Sequence, residues 1–367
     1  MHGHGGHSSV TGPLRVGLVI GQLTTGGAEG QLWLLCRDLD RERFKLTVYC
    51  LSDQTAPYGE QIAASGIAVR VVSGGRLARV RALRRWLTAD RVNVVHAWLF
   101  IANSFAWAAS RGGRLTLVTS ARNCKRQGRA LDFLNRRAFQ ASAAIVVNSE
   151  DVGTYIAEHY TAPRERIRVI YNGIDTHRFH PATTPEAMTT TLGPIVTVGR
   201  LVAQKNHDLF LRAAAQLTRQ IPGLRFVIVG DGPLRPALTA QAAQLGIADQ
   251  VVFAGERSDV DVLLRDASLF WLTSRWEGLP NVVLEALASA VPVVASDVGG
   301  TRELLRSGVG GFVVAAEDQD AFVRHSHALL TDAALRQRFR LAARARAEQF
   351  SVAQMVGAFA RLYEEVA

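Results

Sequence analysis

The sequence predicts an α/β protein of two doubly wound, Rossmann-like domains facing across a cleft. Three observations carry this. Short Val/Ile/Leu runs alternate with amphipathic segments along nearly the whole chain, the pattern of parallel strands covered by helices on both faces. The runs fall into two series, and at 367 residues the chain is long for one core. A polar seam, Asn172–Leu192, divides the series; it carries Pro181, Pro185 and three consecutive threonines.

The first series reads as strands at Val16–Ile20, Leu46–Cys50, Ala68–Val72, Val92–Val95, Leu115–Val118, Ala144–Val147 and Arg168–Ile170. Helix-like segments such as Ala28–Leu39 and Val80–Leu87 lie between them. The second series comprises Ile195–Val198, Arg225–Val229, Val251–Phe253, Leu269–Leu272, Val293–Ala295 and Phe312–Val314. A last helix, Val352–Val366, follows it and could pack across either domain. The expected organisation is a disordered tail over 1–13, an N-terminal domain over 14–172 and a linker over 173–192. A C-terminal domain over 193–350 and a C-terminal helix over 351–367, able to pack back on the N-terminal domain, complete it.

Composition is that of a globular protein. Cys36, Cys50 and Cys124 show neither metal spacing nor a disulfide framework, which points to a reducing compartment. No apolar run reaches the roughly 18–20 residues of a membrane span. The first nine residues, with His2, His4 and His7, lack a signal-peptide core. Net charge is +10, and Arg70 to Arg137 holds 15 basic residues against two acids, Asp90 and Asp132. The basic charge is therefore a property of the N-terminal half.

In open α/β sheets the ligand lies beyond the carboxyl ends of the strands, and five motifs fall there. Glu277-Gly278-Leu279-Pro280-Asn281-Val282-Val283-Leu284-Glu285 sets two carboxylates eight positions apart, with Pro280 suited to the first turn of a helix. The free N–H groups of that turn form an anion site beside the two acceptors, which suits a ligand with hydroxyls and a phosphate, such as a nucleotide sugar. Gly199-Arg200-Leu201-Val202-Ala203-Gln204-Lys205-Asn206 follows a strand and offers a bidentate fork and a mobile point charge for a diphosphate. Gly230-Asp231-Gly232-Pro233 and Asp297-Val298-Gly299-Gly300-Thr301 line the cleft or are simple turns, with Asp231 then capping a helix. Gly26 and Gly27 open a helix after the first strand and suit backbone contact with phosphate or sugar.

His96 ends the Val92–Val95 run, where site residues gather; as a lone histidine it also suits a structural role. Asp259-Val260-Asp261 and Asp38-Leu39-Asp40 have the Asp-x-Asp spelling of metal-dependent glycosyltransferases, but each lies in or beside a helix-like segment. No metal site, zinc-like spacing, nucleophile elbow or P-loop is expected.

These residues together resemble the family 4 (group 1) retaining glycosyltransferases of the GT-B fold, from Arg15 to about Glu365. The likeness is strongest in Gly199–Lys205 and Ser274–Gly300. The resemblance implies that Arg200 and Lys205 neutralise a donor diphosphate and that Glu285 takes the ribose hydroxyls. It implies that Glu277, with Gly278 and Leu279, holds the donor sugar, and that Asn281 and Val282 offer N–H groups to phosphate. Gly199 and Gly230 line this donor site, Gly26 and Gly27 close on it, Arg257 lies where backbone meets the base, and His96 faces the reacting carbon or acceptor. His96, Arg200, Lys205 and Glu277 form the expected catalytic set. Gly30 stands where many relatives carry Arg.

The implied activity is retaining, metal-independent hexosyl transfer from a UDP- or GDP-linked sugar to a glycan or lipid-linked acceptor in bacterial surface polysaccharide synthesis. No cofactor is required beyond the nucleotide sugar as co-substrate. Arg76-Leu77-Ala78-Arg79-Val80-Arg81-Ala82-Leu83-Arg84-Arg85-Trp86 mixes Arg with apolar residues at helical spacing. It suits a cytoplasmic enzyme peripheral on the anionic inner face of the membrane, with Trp86 at the interface. A nucleic-acid binder would explain the charge but not the Glu277, Glu285, Arg200 and Lys205 set. A sugar-nucleotide epimerase or a phosphorylase would share the fold, and product analysis or an absorbance scan separates those.

Overall fold

The computed structural model describes residues 12–113, 115–182 and 192–367. Residues 1–11 of the expected tail, with His2, His4 and His7, lie outside the described residues, as do 183–191 of the expected linker. The chain divides into two compact units. The N-terminal unit takes Met1–Val147, Gly153–Ile170 and Met355–Ala367; the C-terminal unit takes Asn148–Val152 and Tyr171–Gln354.

In the N-terminal unit seven parallel strands form one sheet: β1 (Leu14–Ile20), β2 (Phe44–Cys50), β3 (Ala68–Val71), β4 (Val94–Trp98), β5 (Thr116–Ala121), β6 (Ala144–Val147) and β7 (Ile167–Val169). Their order is β3-β2-β1-β4-β5-β6-β7. Helices α1 (Gly27–Asp38), α2 (Tyr58–Ala64), α3 (Arg76–Ala89), α4 (Leu99–Ser110), α5 (Arg129–Ala141) and α6 (Glu150–Tyr160) separate the strands. Val19, Tyr49, Leu83, Leu87, Val95 and Ala106 are among the buried residues of one core layer. Strands β1 to β6 are mostly or wholly apolar because helices cover both faces of the sheet.

The C-terminal unit repeats the plan with β8 (Ile195–Val198), β9 (Phe226–Val229), β10 (Val251–Gly255), β11 (Leu269–Leu272), β12 (Val293–Ser296) and β13 (Gly311–Val314), in the order β10-β9-β8-β11-β12-β13. Helices α7 (His207–Gln220), α8 (Arg235–Gln244), α9 (Val260–Arg265), α10 (Asn281–Ala288), α11 (Thr301–Leu304), α12 (Gln319–Thr331) and α13 (Ala333–Glu348) complete it. One core layer centres on Trp271, Phe210, Phe226 and Phe322. In each sheet the strand order reverses between two neighbours, β1 and β4 or β8 and β11, and a crevice opens beyond their carboxyl ends.

Most of the final helix, α14 (Val352–Val366), belongs to the N-terminal unit, where Tyr363 and Phe359 are fully buried. The fourth strand runs three residues past its expected end at Val95, to Trp98. Pro280 is the cap residue before α10 rather than its first residue. Asp231 caps no helix: it accepts from its neighbour's Gly232 N–H at 2.7 Å and pairs with Arg235 at 3.1 Å. Among the described residues no helix is long and apolar enough to cross a membrane.

Candidate functional site: the β8–β11 crevice

Two loops leave the switch point of the C-terminal sheet, Gly199–Asn206 after β8 and Thr273–Pro280 after β11. The sequence forces them close. Gly230, at φ +126°, turns where a side chain would collide with the Gly199 carbonyl oxygen, so the β9 turn packs directly on the β8 loop. Gly299, at φ +50°, plays the same part beneath the second loop, where a side chain would strike the Glu277 and Gly278 carbonyls. Only glycine accepts that approach at left-handed backbone angles without strain. The Gly300 N–H then donates to the Gly278 carbonyl at 2.7 Å.

Backbone and side chains lace the two loops together. Arg275 N–H donates to the Gln204 carbonyl at 2.8 Å, and Thr273 Oγ1 donates to the Lys205 carbonyl at 3.0 Å. Gln204 Nε2 donates to the Trp276 carbonyl at 3.0 Å. The outcome is one ion pair: Lys205 Nζ stands 2.6 Å from Glu277 Oε1, with side chains 19% and 9% exposed. Ser274 Oγ donates to the same oxygen at 2.7 Å. Arg200 is exposed on the first loop.

Glu285 follows on the second turn of α10, one helix face from this pair. Its residue is half-buried, and burial pushes its carboxyl up to about 7, while Arg178 and Lys205 draw it down and Asp261 raises it. Among the described residues no hydrogen bond to its carboxylate is found, so its acceptor capacity is open to a ligand. At the head of α10, Asn281 Oδ1 accepts from Asn172 Nδ2 at 2.5 Å. Val282, one residue on, lies in the same first turn, where the Val283 N–H donates to the Pro280 carbonyl at 3.1 Å. Arg257 is exposed and forked onto Asp259, with Nη2 to Oδ2 at 2.5 Å and Nε to Oδ1 at 2.7 Å, so its guanidinium is held by its neighbour. Arg178 donates to the Ser258 carbonyl at 2.7 Å, tying that same segment to the neighbourhood of Glu285.

The N-terminal unit treats its own expected residues differently. His96 stands inside β4, not beyond its end, and is fully buried. Its Nδ1 shares a hydrogen bond with Tyr363 Oη at 2.7 Å and its Nε2 with Ser120 Oγ at 2.6 Å. Trp98, Phe359 and Tyr363 pack on the ring, and burial, with the nearby Arg122 charge, drives its basicity well below the usual histidine value. The expected place of His96 beyond a strand end is not what the geometry shows: the ring lies in the core with both nitrogens in hydrogen bonds. Trp86 is half-buried, tilted against Tyr49 at 6.5 Å and under the Arg70 guanidinium at 5.5 Å. Gly26 caps α1 in an extended conformation, and the Glu29 carboxylate fills the space a side chain would need; Gly27 is the first residue of the helix.

Sequence reasoning missed Ser274, Arg178 and Arg122. Arg122 directly follows β5 and is 7% exposed, 4.0 Å over the Trp98 ring. Burial lowers it to about 9, against the pull of Tyr363 and Glu29. The positional rule that singled out His96 applies to Arg122 with better register.

The comparisons agree with this architecture. Residues 190–346 match the family described as glycosyl transferases group 1, and residues 25–178 match glycosyltransferase family 4. The chain is 30% identical to a lipopolysaccharide core biosynthesis mannosyltransferase of Rhizobium meliloti, over 69% of this chain and 73% of that protein. It is 34% identical to a Vi polysaccharide biosynthesis protein of Salmonella typhi over 46% of this chain, a match spanning only 30% of that longer relative. The fold is also that of an Anabaena protein solved in complex with UDP, with TM-score 0.85, 23% identity and coverage of 96% of this chain and 100% of that one. The chain belongs to the family 4, group 1 glycosyltransferases.

Proposed function

We propose that this enzyme moves a hexosyl group from a UDP- or GDP-linked sugar to a glycan or lipid-linked acceptor, with retention at the anomeric carbon and without a metal. The observation that carries the reading is the open acceptor capacity of half-buried Glu285 beside the Lys205–Glu277 pair. Ribose hydroxyls supply the donors Glu285 lacks. Arg200 and Lys205 meet the diphosphate, whose charge grows as the glycosidic bond breaks, and preorganised cations act most strongly on charge that develops in the transition state. The start of α10 adds N–H groups to the same anion. Glu277, oriented by Lys205 and Ser274, holds the transferred sugar. The mannosyltransferase name of one relative and the UDP bound to a structural neighbour support this donor class. Surface polysaccharide or lipopolysaccharide assembly is the setting those relatives' names suggest.

The test is calorimetric titration of UDP, GDP and ADP in the presence of EDTA, followed by product analysis with the sugar conjugates of the base that binds. Binding of UDP or GDP in EDTA supports the reading; binding of neither, or of ADP alone, contradicts it.

A second reading concerns placement. Leu77, Ile101 and Phe133 are exposed at 73%, 52% and 56% within the arginine-rich N-terminal half. This composition suits peripheral contact with anionic lipid. Co-sedimentation with vesicles containing anionic lipid tests it, and equal partition onto neutral vesicles contradicts it.

A further inference from the structure

One residue outside the motifs holds both loops of the site. Glu317 lies in the turn between β13 and α12, and its backbone has φ +67°. A left-handed conformation is uncommon for a residue other than glycine and persists when surrounding contacts fix it. The contacts are present. Glu317 Oε1 accepts from Asn206 Nδ2 at 3.0 Å and from Arg275 Nε at 2.9 Å, and Arg212 Nη2 lies 3.7 Å from its second oxygen. Asn206 is itself left-handed, at φ +51°, and almost fully buried. Arg275 reaches on to the Ala203 carbonyl with Nη1 at 3.0 Å.

These partners are placed with consequence. Asn206 is the residue directly after Lys205, and Arg275 stands two residues before Glu277. The carboxylate therefore bridges the end of one loop to the start of the other. Exposed ion pairs add little to stability, and Glu317 and Arg275 are 46% and 40% exposed. The bond to almost fully buried Asn206 contributes to stability, and the same carboxylate oxygen fixes where Arg275 stands.

We propose that Glu317 is a positioning residue, a carboxylate clasp that joins Asn206 to Arg275 and so sets the separation of Lys205 and Glu277 for the donor. The inference rests on the nucleotide-sugar reading of this site.

The test compares Glu317→Gly and Glu317→Gln with wild type. Glycine accepts φ > 0 freely, so Glu317→Gly releases the clasp and relieves the backbone together. Its thermal midpoint is expected to change little, relief of the backbone offsetting the lost Asn206 bond, while the affinity for the nucleotide that wild type binds, UDP or GDP, falls about tenfold, the scale of one charged hydrogen bond to the ligand. Glu317→Gln keeps an acceptor for both partners and is expected to retain most of the affinity. A purely structural role would lower the midpoint and leave the affinity intact, and that result overturns the proposal. If Glu317→Gly does not fold, Arg275→Met breaks the clasp from its other end, and unchanged affinity there overturns it equally. Absence of nucleotide binding by wild type is a separate result: it removes the donor reading itself.

Discussion

Glu285 on the second turn of α10 in the C-terminal unit and His96 inside β4 in the N-terminal unit are both pushed toward the neutral form by burial. Their surroundings differ in one respect that decides their roles. His96 has both nitrogens engaged, by Tyr363 and Ser120. Glu285 has cations nearby and, among the described residues, no hydrogen bond to its carboxylate. A buried polar group with every partner in place stabilises a core; one with acceptor capacity left open is prepared for a ligand. A shifted pKa alone does not separate the two cases. Counting partners does.

The comparison can be broken in several ways. Lys205→Met removes a cation from the proposed leaving group and leaves Glu277 with only Ser274, so kcat is expected to fall about 100- to 1000-fold, the range seen when one preorganised transition-state donor is lost. Steady-state kinetics check this, and a loss confined to KM would show that Lys205 only binds substrate. Glu285→Ala should weaken nucleotide binding by roughly 10- to 100-fold, as hydrogen bonds to a charged group are worth about 1.5–3 kcal/mol. Calorimetry reads it directly.

His96→Phe should act on the other side of the comparison. It strands the Tyr363 and Ser120 hydroxyls, at about 1–3 kcal/mol for each buried group left unpaired, with donor KM unchanged. Denaturant unfolding and kinetics on the same preparation separate the outcomes. A stable variant with lost kcat would return His96 to the reacting centre.

The two groups also predict opposite pH slopes. Glu285 has a folded value of about 7, raised above the ordinary 4.5, so the folded state binds more protons between those values and stability falls as pH climbs through that window. His96 is lowered below the ordinary 6.5, so its contribution is complete above pH 6.5 and is lost as pH falls below it. Unfolding followed from pH 4.5 to 8 should lose the first slope in Glu285→Gln and the second in His96→Phe. Nucleotide affinity should rise through pH 7 as Glu285 ionises.

Much of this was legible in the sequence, because strands buried on both faces are written as unbroken apolar runs. All thirteen expected strands appear, displaced by a few residues at most. The motifs carrying Lys205 and Glu277 were legible at two strand ends, but their ion pair was not, because it depends on β8 and β11 being neighbours in the sheet. The place of His96 differs through a shift of register: β4 continues through Ala97 and Trp98, which turns an expected strand-end residue into an interior one. Arg122 carried the same strand-end signal as His96 and was passed over. Glu317 left no local signature: its contact with the Asn206 side chain spans 111 residues, and no spacing rule reaches that far.

The most direct measurement is a calorimetric titration of UDP and GDP in EDTA into wild type and Glu285→Ala, at pH 8 and pH 6. The account predicts that one base binds wild type, more tightly at pH 8, and that the variant loses both the affinity and its pH dependence. Equal binding by the two proteins, at either pH, would contradict it.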